Sequence, residues 1–181
     1  MRIVAGQWRG RALSAPSGTV TRPTADRVRQ ALFDMLLHAP WAGRDCVDGA
    51  DVLDLFAGTG AMGLEALSRG AATAVFVEQD RAALAALRAN IAGCRAEDRC
   101  QVLPLDVRRL PAGAAAALVF LDPPYGMGLV GTALARLRAV GRIAPGALVV
   151  AETGRDEAAL EVEVLAERTH GAARVTVWRE G

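Results

Sequence analysis

Short apolar runs recur along this chain, separated by stretches whose apolar positions repeat every three or four residues. The runs Asp51 to Phe56, Ala74 to Val77, Gln101 to Leu105 and Leu118 to Leu121 read as buried parallel strands, and Ala147 to Ala151 extends the series. Between them, Ala61 to Arg69 and Asp80 to Ile91 carry helical spacing, with Leu84, Leu87 and Ile91 on one stripe. Leu129 to Arg142 holds another helix, ended near Gly141 and Pro145. Strand and helix alternate, so the pattern predicts an α/β fold with a doubly wound, mostly parallel sheet.

The two ends break this rhythm. Leu160 to Leu165 alternates with period two, Thr169-His170-Gly171-Ala172 turns the chain, and Arg174 to Trp178 alternates again. This predicts a C-terminal hairpin that brings at least one antiparallel strand into the sheet. At the front, Ile3 to Trp8 and Arg11 to Leu13 flank Arg9-Gly10 and predict a small basic hairpin. Thr24 is suited to cap the helix that follows, whose apolar face is Val28, Leu32, Met35 and Leu36. That face leaves Arg22, Arg27 and Arg29 to point elsewhere.

Chemistry concentrates where strands end. Asp54-Leu55-Phe56-Ala57-Gly58-Thr59-Gly60 closes the first predicted strand with a glycine turn that lets backbone approach a ligand. Gly58 to Gly63 fits GxGxxG, and Glu78 follows Gly58 at the end of the next strand, so a nicotinamide enzyme has to be weighed. Two features oppose it: the turn comes late in the chain with little sequence after it for a substrate domain, and Asp54 would repel a pyrophosphate. A cofactor bearing positive charge suits Asp54 better. S-adenosylmethionine, with its ammonium and sulfonium, fits: Asp54 attracts its charged end, Gly58 and Gly60 admit it, Glu78 accepts from ribose hydroxyls, and Asp106 from the adenine amine. Phe56 joins these as a cofactor-binding candidate.

The predicted fourth strand ends in Asp122-Pro123-Pro124-Tyr125. A carboxylate, a carbonyl fixed by proline and a flat ring are suited to grip a planar molecule by its amino group. At the switch point of a doubly wound sheet the first and fourth strands are neighbours, so Asp54 and Asp122 are expected side by side, with cofactor and substrate in one crevice. An aromatic amine is a poor nucleophile. Two acceptors on its hydrogens aim its lone pair, so orientation and charge stabilisation count for more here than a strong base.

Composition narrows the partners. The chain has 181 residues, 52% of them apolar and 23% charged, which suits one well-buried domain without a membrane segment. No secretory leader is apparent, so the cytoplasm is the default location. Cys46, Cys94 and Cys100 form no CxxC pair and the two histidines are far apart, so neither a disulfide framework nor a metal site is expected. The net charge of +1 conceals an uneven distribution: residues 1 to 30 hold six arginines against Asp26 alone. The basic front end suits either a solvated face or a nucleic acid.

These residues resemble the class I S-adenosylmethionine-dependent methyltransferases with a D/N-P-P-Y/F motif, and more narrowly the ribosomal small-subunit methyltransferase D family. The likeness is carried by Arg2 to Gly6, Trp8 to Arg11, Arg22 to Arg29, Asp54 to Gly60, Phe76 to Glu78 and Asp122 to Tyr125. The chain departs from the family pattern at Ala25, Gln30 and Leu105, where threonine, glutamate and asparagine are common. The resemblance implies a Rossmann-like, seven-stranded methyltransferase fold, with residues 1 to 23 as a basic RNA-contacting arm and 24 to 181 as the methyltransferase domain. It implies methyl transfer from S-adenosylmethionine to the N2 amine of one guanine in 16S rRNA, free or within the small ribosomal subunit or its assembly intermediate. Asp122, Pro123, Pro124 and Tyr125 are then catalytic, and Arg9, Arg11, Arg22 and Arg27 contact phosphates. A DNA adenine-N6 methyltransferase and a non-catalytic RNA-binding assembly factor are the competing readings.

Overall fold

The computed structural model describes residues 1–16 and 23–181 of the protein. Helix α1 spans Pro23–His38, β1 Asp51–Leu55, α2 Ala61–Ser68, β2 Thr73–Glu78, α3 Arg81–Cys94 and β3 Cys100–Pro104. β4 (Ala116–Leu121), α4 (Leu129–Ala139), β5 (Ile143–Gly154), β6 (Val164–His170) and β7 (Ala173–Arg179) complete the order. The seven strands form one sheet in the order β3-β2-β1-β4-β5-β7-β6. The first five run parallel to their neighbours, while β7 pairs antiparallel with both β5 and β6.

Alternation along the strands separates two cores. In β1, Val52 faces one way, and Leu53 and Leu55 the other. On the first face Leu32, Phe33 and Leu36 of α1, Leu64 and Leu67 of α2, and Leu87 and Ile91 of α3 pack against Phe76, Leu118, Phe120 and Val150. Phe33 and Phe120 meet at 5.7 Å between ring centroids. On the second face Val130, Leu134 and Leu137 of α4 cover Leu53, Val119, Leu121 and Val149. Both faces of the sheet are thus covered, as a doubly wound sheet requires.

The termini refine the expectations. The front hairpin is a loop closed by a single antiparallel bridge, Arg2 with Ala12, and its turn occupies Gly6 to Gly10, wider than Arg9-Gly10 alone. Added side-chain atoms at Gly6 would overlap the Ser68 carbonyl at 1.8 Å, so this turn sits directly on the end of α2. The C-terminal hairpin starts at Val164; the alternating residues 160–163 stand outside the strand, and β6 runs on through Thr169 and His170. Arg29, expected off the apolar face of α1, turns inward. It is buried, donating to Glu65, Asp26 and the Arg2 carbonyl, and so holds α1 against the arm and α2. The Thr24 cap falls on a side chain outside the described residues, as does the whole of Arg22.

Candidate active site

β1 and β4 are hydrogen-bonded neighbours, with Asp54 opposite Phe120 and Leu55 opposite Leu121. Strand order reverses here, because β1 has β2 on its other side, and the loops after β1 and β4 diverge above a crevice. The Asp122 amide reaches back to the Leu55 carbonyl at 3.4 Å. Asp54 and Asp122 therefore end adjacent strands, as the sequence predicted.

Two clefts open at this edge. The first, about 600 Å³, is lined by Glu78, Gln79 and Asp80 after β2, by Leu105 to Arg108 after β3, and by Asp122 to Tyr125. The second, about 460 Å³, runs over Asp54, Gly58 and Thr59 and then between α1 and the C-terminal hairpin, past Leu32, Glu152, His170 and Val175. Phe56 and Asp122 line both. Each volume suits a small organic ligand, and the shared residues mark where two ligands would meet.

The glycine turn is built by its neighbours. Glu78 accepts from the amides of Gly58 (2.8 Å), Gln79 (2.7 Å) and Asp80 (2.8 Å), tying the ends of β1 and β2 together. Asp54 accepts from the Gly63 amide at 2.9 Å, in the first turn of α2. Asn90 donates to the Thr59 carbonyl and exchanges two hydrogen bonds with the backbone of Ser14, so α3 links the arm to the turn. The glycines have different reasons to be there. A Cβ on Gly58 would meet nothing closer than the Phe56 carbonyl at 4.0 Å, so that position opens on the cleft. A Cβ on Gly60 would strike Leu87 at 2.4 Å, so Gly60 serves helix packing and lines neither cleft. Phe56 itself holds φ at 60°, a left-handed conformation that costs a residue with a Cβ about 1–3 kcal/mol. That strain sits at the junction of the two clefts.

Electrostatics at the junction are one-sided. Burial pushes the Asp54 carboxyl up to about 8, with the charges of Asp122 and Glu78 adding to the rise and the Gly63 amide opposing it. Asp122 opens onto the cleft, but protein crowds its carboxyl; desolvation and the charge of Glu152 raise it to about 7. Among the described residues, neither Asp54 nor Asp122 has an ion-pair partner. A cationic ligand would relieve this crowding of acids, whereas a dinucleotide pyrophosphate would intensify it.

Other predicted residues have partners of their own. Asp106 caps the short turn that follows it by accepting from the Arg108 amide, and it pairs with the Arg108 side chain, which holds its carboxyl down at about 2. Tyr125 donates its hydroxyl to Glu152, and burial together with that acceptor pushes the phenol up. Glu157 accepts from the amides of Gly126 and Gly154 at 2.9 and 2.8 Å, pinning the loop after Tyr125 to the end of β5. Glu152 and Glu157 escaped sequence reasoning because their spacing from Asp122 carries no pattern; only sheet order brings them there.

The arginines divide. Arg27 is exposed beside Arg2 on the flank of α1. Arg9 and Arg11 are exposed on the arm's turn, where the Gln7 amide bonds the Ser68 carbonyl and Arg11 lies over Gly93, at the C-terminal ends of α2 and α3. Gly93 is one helical turn from Asn90, which bonds the Thr59 carbonyl on the lining of the second cleft.

Comparison with known proteins fits this geometry. Residues 1–179 match the model of the family described as Conserved hypothetical protein 95. The chain is 41% identical to ribosomal RNA small subunit methyltransferase D of Escherichia coli over 155 residues, 84% of this chain and 74% of the relative. It is 32% identical to the putative rRNA methyltransferase YlbH of Bacillus subtilis over 99% of both chains. Its fold superposes on the solved structure of the putative methyltransferase yhhF from Escherichia coli with a TM-score of 0.84 and 34% identity, covering 99% of this chain and 97% of the other. The chain belongs to the Conserved hypothetical protein 95 family and, within it, groups with ribosomal small-subunit methyltransferase D.

Proposed function

We propose that this protein transfers a methyl group from S-adenosylmethionine to the exocyclic N2 amine of a guanine in small-subunit rRNA. The observation that carries the reading is the pair of clefts that share Phe56 and Asp122 at the reversal of strand order. The acid-rich junction, with no cation bonded to Asp54 or Asp122 among the described residues, suits a sulfonium and an ammonium. The relatives' names supply the substrate class. S-adenosylmethionine, when bound, supplies an electrophilic methyl group.

The chain's own residues do the rest. Glu78, held by three amides, keeps acceptor capacity for ribose hydroxyls, and Gly58 leaves room beside it. Asp106 stands at the far rim of the first cleft, where an adenine amine would lie. Asp122 and the Pro123 carbonyl accept the two hydrogens of the target amine and turn its lone pair toward the methyl carbon. As the new nitrogen–carbon bond forms, the donor's carbon–sulfur bond would break and leave a neutral thioether, so positive charge grows on that nitrogen, and the Asp122 carboxylate beside it stabilises the charge. Asp122 is also the group placed to receive the proton that the nitrogen then sheds. Tyr125 offers a ring on which the base stacks after leaving its own stack. Arg9, Arg11, Arg22 and Arg27 contact phosphates in this reading.

Labelled S-adenosylmethionine incubated separately with 16S rRNA, small-subunit particles and duplex DNA, followed by nucleoside analysis, tests the reading. Label in N2-methylguanosine from the rRNA or the particle supports it. Label confined to N6-methyladenine in DNA, or no turnover on any substrate, contradicts it.

A further inference from the structure

β5 lies beside β4, and Ala151 is in register with Leu121, so the next residues, Glu152 still within β5 and Asp122 just past the end of β4, stand side by side. Both line the second cleft. One Glu152 oxygen accepts from the Tyr125 hydroxyl; the other has no hydrogen-bond partner among the described residues. Arg29 lines the same cleft but is already committed to Glu65, Asp26 and the Arg2 carbonyl. The cleft thus presents two adjacent carboxylates, each with unused acceptors among the described residues.

A base that fits must present two adjacent donors. Guanine does so, because its N1–H stands next to the N2 amine. Adenine does not: its N6 amine is flanked by an N1 lone pair, which a carboxylate repels. We propose that Glu152 accepts the guanine N1–H while Asp122 holds the N2 amine, so that Glu152 sets the enzyme's preference for guanine. The inference rests on the guanine reading given above and adds the residue that enforces it. The hydrogen bond from Tyr125 then serves to hold Glu152 in place. An ionised carboxylate accepts and cannot donate, so a base with a lone pair at N1 leaves two acceptors facing each other.

The test uses 16S rRNA fragments that span the labelled nucleotide and carry either guanosine or 2,6-diaminopurine riboside there. The analogue keeps the 2-amine but replaces N1–H with a lone pair. The unsubstituted enzyme is expected to favour guanosine by about 10- to 100-fold in kcat/KM, the size of one hydrogen bond to a charged group. Glu152→Gln, whose amide can accept or donate, should bring that ratio near unity with unchanged affinity for S-adenosylmethionine. Tyr125→Phe, which removes the hydrogen bond that holds Glu152, should lower the ratio without bringing it to unity. An unsubstituted enzyme without preference, or a Glu152→Gln enzyme with its preference intact, overturns the role of Glu152 while the guanine reading stands. Transfer to neither fragment overturns both.

Discussion

Asp54 shows how a single carboxylate can be built to need a ligand. It is 2% exposed, its carboxyl accepts among the described residues only from the Gly63 amide, and burial lifts its pKa from 3.8 to about 8. A folded-state value above the unfolded one means that the native state binds the extra proton between those limits. Stability is therefore highest below about pH 4 as far as this group is concerned, and falls as pH rises toward 8, by up to about 1.4 kcal/mol per unit inside the window. Asp54→Asn keeps an acceptor for Gly63 and removes the charge. Thermal melts should show the variant gaining on the parent between pH 5 and pH 8, while its affinity for S-adenosylmethionine drops; equal pH dependence in the two proteins would contradict this account of Asp54. The position of Asp54 was legible from the sequence because a lone acid interrupts an apolar run. Its proton affinity was not, because it depends on what α2 and β4 place around it.

Among the elements, α2 works as a clamp through Glu65. This residue is fully buried and accepts from the amides of Val4 (2.8 Å) and Ala5 (3.0 Å), from Arg29 of α1 (3.4 Å) and from Arg69 (2.8 Å). Arg69 in turn stacks over Phe33 at 4.8 Å. Removing the acid strands two amides and takes the shared carboxylate from two buried guanidinium groups, leaving Arg29 with Asp26 and the Arg2 carbonyl and Arg69 with Gln30 and Asp34. Glu65→Ala should lose about 3–5 kcal/mol in denaturant titration, whereas Glu65→Gln, which keeps an acceptor, should lose less. The sequence predicted the strands and helices well, since period two and period 3.6 are local signals. It left Arg29 off the apolar face of the helix without a partner, because the carboxylate that buries it sits on another helix. It read 160–163 as strand for a similar reason: alternation was present, but no partner strand extends that far. The Asn90 link between Ser14 and Thr59 joins residues distant in the chain and has no local signature either.

At the scale of the whole molecule, the switch point, the two clefts and the pairing of Asp54 with Asp122 followed from strand alternation and one topological rule, so the centre of the site was readable in advance. The distribution of positive charge was not, because exposure depends on packing. Arg9, Arg11 and Arg27 are exposed, and Arg11 lies over Gly93, one turn of α3 from the Asn90 that bonds Thr59 at the second cleft. If rRNA runs from the cleft along the arm, affinity will fall with salt, and replacing each contacting arginine with alanine will reduce the slope of log K against log salt by about 1. Binding measured at several ionic strengths checks this; slopes unchanged in Arg9→Ala and Arg11→Ala proteins would confine the RNA path to the cleft side. The central claim is that methyl donor and target amine meet at Asp122. Its most direct test is cofactor affinity and methyl transfer to rRNA measured in parallel on Asp122→Ala. The account predicts binding of S-adenosylmethionine close to that of the parent with transfer reduced by at least about 100-fold. Transfer at the parent's rate would contradict it.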